Sequence, residues 1–308
     1  MISKAPESID NYYHQIIYYD NARNAFEDIL LNLMEHQEST ILLPAFIGYS
    51  PKEGSGIFDP ILHTGIQYKF YAMTKELFID INDLKEKEES IQGKKIVLLV
   101  HYWGYADPNY NQVINLCKKQ NAIIIEDAAH AFYTEYYNHK IGKKADYIIY
   151  SLHKMLPFKN GGMLKIQKKN KFRIYHKAHT SYDILAYNIA EISKTRKKNS
   201  LIIENALKNN EKITLLRPNN KFAESIPQTY PILLKNSIDR YAVYLELNRL
   251  GFGVVSLYHT LISELSDNIY SNSKELSSSI LNLPVHQDAS KEEITEMCHE
   301  LNKIINRY

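Results

Sequence analysis

Residues 122–131 read AIIIEDAAHA, and residues 145–162 read ADYIIYSLHKMLPFKNGG. Each opens on an apolar run that does not alternate with polar residues, the pattern of a strand buried on both faces. Residues 95–101, KIVLLVH, form a third such run. Between them, 109–120 carries Val113, Ile114 and Leu116 at helical spacing. Upstream, Ala22, Ala25, Phe26, Ile29, Leu30 and Leu33 repeat with a 3.6-residue period, which predicts a helix over 21–37. Residues 39–44, 66–71 and 163–166 predict further strands, and 80–90 a charged helix. Buried strands joined through helices predict an α/β fold of three layers, a mainly parallel sheet covered on both faces.

The composition changes after residue 167. Residues 168–208 are polar and predict a helix, with the basic stretch 194–198 on its solvated face. A mixed segment follows: a strand over 229–234, a helix over 237–250 ending at Gly251, a strand over 253–256, and a closing helix over 291–308. Ser290, with Glu293 three residues on, forms a capping-box pattern at its start. The division predicts a large α/β domain over 1–170 and a smaller α+β domain over 171–308.

The 308 residues are ample for both cores. Hydrophobic residues at 44% and charged residues at 23% exclude a disordered chain. Lys and Arg total 37 against 35 Asp and Glu, and this balance gives no footprint for nucleic acid or an anionic membrane. The first eleven residues include Glu7 and Asp10 and no apolar core, so no secretory signal is expected there. The apolar runs 41–47 and 96–100 fall far short of the ~20 residues that span a bilayer. Cys117 and Cys298 are too far apart in sequence for a metal-ligand cluster or a disulfide framework. A reducing, cytoplasmic location is expected.

The chemistry lies at the strand ends. Ligands of open α/β sheets sit outside the carboxyl ends of the strands, which is where Asp127 falls. Lys154 lies just past the end of the run 145–151. Flanked by Leu152 and by Met155, Leu156 and Pro157, it is placed to lose its proton and act as an amine nucleophile. A carboxylate and an amine at neighbouring strand ends suit pyridoxal 5'-phosphate (PLP), whose aldehyde takes the lysine and whose ring nitrogen takes the acid. On spacing alone, the same two residues also fit a helix cap and a solvated charge.

The order of the motifs goes further. LLPAFIG (42–48), VLLVHYWGYADP (97–108), IIIEDAAHAF (123–132), KIGKKADYIIYSLHK (140–154) and NGGML (160–164) together resemble the DegT/StrS group of nucleotide-sugar aminotransferases. The resemblance runs over about 18–166 and is fainter at QTYPILLK, RLGFGV and ILNLPVHQDASKEEI. It implies the aspartate aminotransferase fold, fold type I, with PLP as cofactor. Lys154 falls on the family's Schiff-base lysine, Asp127 on the acid that pairs with the pyridine nitrogen, and Ser151 on the serine that holds the phosphate. His130 stands where the family usually has Gln. Ala22 and Arg23 open a helix where the family has Gly-Thr or Gly-Ser, so their backbone N–H groups, with the Arg23 guanidinium, are expected at the phosphate. Asn160 replaces an acid before Gly161-Gly162, and the segment beyond is short, with Tyr187-Asn188 a faint match to a motif of the partner subunit. The family's ring-stacking aromatic has no counterpart in register: Gly48 occupies its place and Tyr49 is the nearest aromatic.

Other conspicuous side chains are read as structural: His153 beside the lysine, His101 in the pocket wall, Tyr102 and Trp103 as filling, and His259 and His286 without a metal site. The resemblance implies transfer of an amino group from an amino acid such as glutamate to a nucleotide-linked keto-sugar, for surface polysaccharide or amino-sugar synthesis, by a homodimer. Two alternatives are a PLP-dependent sugar dehydratase, in which the lysine is expected to be missing, and a catalytically silent binding or regulatory relative.

Overall fold

The computed structural model describes residues 15–35, 38–138, 141–167, 171–179, 181–266 and 268–308. Its main sheet is built from β1 (Gln15–Tyr19), β2 (Ser39–Pro44), β3 (Gln67–Tyr71), β4 (Lys94–Val100), β5 (Ile123–Asp127), β6 (Tyr147–Ser151), β7 (Gly162–Ile166) and β8 (Ala178–His179), in the order β3-β2-β4-β5-β6-β7-β1-β8. The strands from β3 through β6 run parallel, while β7, β1 and β8 each pair antiparallel. The expected mainly parallel sheet is present, with an antiparallel margin.

The helices between these strands are α1 (Ala22–Met34), α2 (Ser50–Glu53), α3 (Phe58–Thr64), α4 (Ile81–Glu89), α5 (Tyr110–Lys119), α6 (Phe132–Asn138) and α7 (Leu152–Met155). Alternate residues of the parallel strands feed two cores. Leu42, Val97, Leu99, Ile124 and Ile148 pack with Val113, Ile114 and Cys117 of α5. Ile41, Leu43, Ile96, Leu98, Ile125 and Ile149 pack with Phe26, Ile29 and Leu30 of α1. Both faces are therefore dry, which is why these runs do not alternate with polar residues.

Beyond β8 follow α8 (Ile189–Leu207), β9 (Ile213–Leu215), β10 (Thr229–Leu234), α9 (Arg240–Arg249), α10 (Ser271–Ser279), β11 (Ile280–Pro284) and α11 (Lys291–Ile305). The order β11-β10-β9 makes a second, antiparallel sheet, and a third core draws only on residues between Ile203 and Ile305. The expected capping box is formed: Ser290 Oγ accepts from Glu293 N at 3.2 Å, and Glu293 Oε2 accepts from Ser290 N at 2.7 Å.

Several expectations need correction. The described residues of 171–188 form no α-helix, only a 3-10 turn at Ile184–Ala186. This segment is tied to α1 and the main sheet instead: the backbone N–H groups of Tyr175 and His176 donate to Asp28, the His176 ring pairs with the same carboxylate at 2.5 Å, and His179 pairs with Asp20 at 2.6 Å while β8 joins β1. The stretch 194–198 is not uniformly solvated. Arg196 is 2% exposed, donates to Gln287 Oε1 and to the Pro227 and Gln228 carbonyls, and lies 5.1 Å from the Tyr133 ring centre. Residues 253–256 form no strand but one isolated bridge, Val255 to Asn282. Helix α9 begins later than expected because Asp239 caps it, accepting from the Tyr241 and Ala242 N–H groups. The predicted ends at 36–37 and 168–170, and the first eleven residues, lie outside the described residues. No helix among the described residues is long and apolar enough to cross a membrane.

Candidate active site

Parallel pairing brings the carboxyl ends of β4, β5 and β6 to one edge: Val100 registers with Asp127, and Asp127 with Ile149, two residues before Ser151. The chain leaves β6 through Ser151 directly into the short helix α7, which carries Lys154. Ala22, Arg23, Asp127, His130, Ser151 and Lys154, the six residues expected from the sequence, border one cavity of about 260 Å³. Lys154 Nζ stands 3.3 Å from His130 Nε2.

The electrostatics follow from burial. The Lys154 ammonium is pushed below its usual range by desolvation and by Arg23, against the pull of the Asp127 carboxylate. The buried His130 imidazole is held well below its usual range by desolvation and by Lys154, so it is neutral. Burial raises the Asp127 carboxyl, opposed by its hydrogen bond from the Ala129 N–H (2.8 Å) and by Lys154 and His101. A buried acid of this kind gains most from a cationic N–H in the cavity.

At the other end lies the start of α1. Asn21 caps it, its side chain accepting from Asn24 N at 3.0 Å. The N–H groups of Ala22 and Arg23 are in the first turn, where no helical carbonyl reaches them. Gly162 makes this approach possible: a Cβ there would lie 2.3 Å from the Asn21 carbonyl and 2.7 Å from the Ala22 nitrogen. Arg23 lies over Gly56, where a Cβ would fall 2.3 Å from its Nε, and its Nη1 pairs with Asp59 at 3.3 Å. Ser151 Oγ faces His153 Nδ1 at 3.4 Å.

Of the side chains read as structural, His101 and His153 border this cavity, and the others lie outside it. His101 borders it with Nε2 on Glu126 (2.8 Å), while its buried Nδ1 has no partner among the described residues. Glu126 also accepts from the Tyr110 hydroxyl (2.7 Å) and from the N–H of Gly142, so the glycine turn at 142 serves to seat this acid. Trp103 is fully buried and donates to the Leu257 carbonyl at 3.1 Å; Tyr102 donates to the Phe46 carbonyl. His259 pairs with Glu53 and His286 with Asp288, and no metal-holding cluster occurs among the described residues. Asn188 caps α8, and Asn160 donates to Asp20. Tyr49 is 45% exposed and does not border the cavity, which corrects its candidacy as the ring-stacking residue.

Two parts of the wall were not legible in the sequence. One is the loop Gly54, Ser55, Gly56 and Ile57 after α2, whose trace in the sequence is the Gly-Ser-Gly run. The other is Tyr258, from the far end of the chain. Its only trace in the sequence is the glycine at position 48, where the motif order calls for an aromatic.

The donors in the cavity fit PLP. An amine held below its usual range and a buried carboxyl seeking a cation share it with a serine hydroxyl and a helix N-terminus suited to phosphate. Comparison with known proteins agrees. Residues 56–177 match the profile of the DegT/DnrJ/EryC1/StrS aminotransferase family, the group that the motif order resembles. A UDP-4-amino-4,6-dideoxy-N-acetyl-beta-L-altrosamine transaminase of Campylobacter jejuni is 31% identical over 109 residues, covering 32% of this chain and 29% of that protein. The spore coat polysaccharide biosynthesis protein SpsC of Bacillus subtilis is 31% identical over 117 residues, covering 37% and 30%. The matched segments thus span less than a third of these relatives. Over the whole fold the likeness is broader: PseC of Helicobacter pylori, an aminotransferase in pseudaminic acid biosynthesis, superposes with a TM-score of 0.78 at 18% identity, covering 96% of this chain and 88% of that one.

Proposed function

We infer that this chain, a relative of the DegT/DnrJ/EryC1/StrS aminotransferases, is a PLP-dependent aminotransferase that moves an amino group from an amino acid, glutamate foremost, to a nucleotide-linked keto-sugar. The observation that carries the reading is the meeting of Lys154, Asp127 and the start of α1 in one cavity. PLP bound there supplies a carrier for the amino group and a ring that withdraws electrons from the carbon losing its proton. Asp127 holds a proton at the ring nitrogen. Ser151 Oγ and the Ala22 and Arg23 N–H groups bind the phosphate. Lys154 Nζ, poised below its usual range, takes and returns the proton that moves during transfer. His130 Nε2, neutral and 3.3 Å away, keeps that amine oriented without competing as a cation.

The retained Lys154 favours transfer over sugar dehydration, which has no use for a lysine returning the proton at that carbon. Retention of Lys154, Asp127 and Ser151 together argues against a silent relative, which has no need of all three. A cytoplasmic homodimer with a large and a smaller domain completes the proposal; β8 belongs to the main sheet, so the boundary expected at 170 moves past His179, and the separate core between Ile203 and Ile305 supports the second domain. The test is to supply the PLP-loaded protein with L-glutamate and a panel of nucleotide-linked keto-sugars. Release of 2-oxoglutarate matched by an aminated sugar is expected. A dehydrated sugar with no nitrogen gained, or no product from any acceptor while PLP is bound, would overturn it.

A further inference from the structure

Gly48 has an ordinary backbone, with no positive φ, so what the missing side chain provides is room. The room is filled by Tyr258: a Cβ at position 48 would lie 2.4 Å from Cδ1 and 2.6 Å from Cγ of that ring. The segment carrying Tyr258 is fastened along the β2–α2 connection. Gly48 and Leu261 form an antiparallel bridge, Tyr49 N donates to the Thr260 carbonyl (2.8 Å), Ile262 N to the Ile47 carbonyl (3.0 Å), and Thr260 N to Glu53 Oε1 (2.7 Å). Behind the ring stand Phe46 and Tyr102, with ring centres 5.8 and 6.5 Å away. Tyr258 is 3% exposed, yet it borders the cavity that holds Asp127 and Lys154. Phe26, the other phenyl ring on that wall among the described residues, belongs to α1, at the phosphate end.

We propose that Tyr258 supplies the aromatic face on which the PLP ring lies, so that the C-terminal part of the chain provides a wall that a side chain at position 48 would otherwise build. The inference rests on the PLP reading above. Aromatic faces attract a flat ring in offset stacking, and a ring protonated opposite Asp127 is drawn further by the π-cloud. Burial, with the Asp127 carboxylate adding to it, pushes the tyrosine hydroxyl well up, so the stacking face is a neutral phenol. The role therefore belongs to the ring and not to the hydroxyl.

The experiment is titration of the apo protein with PLP, followed by absorbance, for the wild type, Tyr258→Phe, Tyr258→Leu and Gly48→Ala. Tyr258→Phe should bind within about twofold of wild type. Tyr258→Leu, which keeps an apolar side chain and loses the ring, should bind about tenfold more weakly. Gly48→Ala, whose methyl displaces the ring, should weaken binding in the same direction and serves if the leucine variant does not fold. Leucine or Gly48→Ala binding as tightly as wild type would overturn the proposal, and so would a phenylalanine variant as weak as leucine. Failure of the wild type itself to bind PLP would instead defeat the underlying cofactor reading, which keeps the two outcomes apart.

Discussion

Nζ of Lys154 lies 3.3 Å from Nε2 of His130, three residues past Asp127. Two cationic groups at that distance in a buried site repel strongly, so the pair carries at most one positive charge at neutral pH. Burial moves both groups downward, with Lys154 adding to the shift of His130 and Arg23 to that of Lys154, and the histidine gives up its proton first.

A pH dependence of stability follows. The unfolded chain takes up a proton on this imidazole as pH falls through the ordinary value of 6.5, while the folded chain keeps it neutral. The unfolded state then binds more protons, so stability falls with falling pH, by about 1.4 kcal/mol per pH unit for one full proton. His130→Gln removes this site in both states. Thermal melts of the apo protein between pH 7 and 5 should show a shallower acid loss in the variant; identical slopes would mean that His130 takes up its proton in the fold.

Asp127→Asn keeps an oxygen to accept from the Ala129 N–H but removes the charge facing the ring nitrogen. Taking away one partner of a buried ion pair costs about 3–5 kcal/mol. Transamination should fall by about a hundredfold or more while the melting temperature of the apo protein changes little. Turnover near wild type would show that another group serves the ring nitrogen.

Ser151→Ala should weaken PLP binding by about tenfold or more, since a hydrogen bond to a charged phosphate contributes about 1.5–3 kcal/mol. Arg23→Ala should weaken it less, because Asp59 already pairs with the guanidinium and the backbone N–H groups remain. Titration of the two apo variants with PLP checks the order. A larger loss with Arg23→Ala would show that the side chain leaves Asp59 for the phosphate.

Gly162→Ala places a methyl 2.3 Å from the Asn21 backbone, which has no flexible end to give way. Overpacking of this kind costs about 1–3 kcal/mol. The variant should melt lower and bind PLP more weakly, because β7 and the start of α1 must separate. Calorimetry of the apo variant showing unchanged stability would mean that the close approach is not needed.

The buried strands were legible because both faces of the sheet are covered, which leaves unbroken apolar runs at 96–100, 122–125 and 147–150. The six expected site residues were legible for the same reason: they sit at the ends of those runs or at the start of the well-patterned α1. What escaped depends on contacts distant in sequence. β8, two residues long, takes its place only by pairing with β1. Arg196 looks like one more surface cation until Gln287, the Pro227 and Gln228 carbonyls and the Tyr133 ring enclose it. Tyr258 enters the cavity wall through bonds to residues 47–53, and no local pattern around 258 announces them.

The central claim is that Lys154 is the amine that receives PLP. The purified protein, saturated with PLP, should absorb in the near-visible; borohydride reduction followed by peptide mass spectrometry should find the cofactor fixed to the peptide containing Lys154, and Lys154→Ala should abolish the label. Cofactor fixed to another lysine, or no fixed cofactor after reduction, would contradict the account.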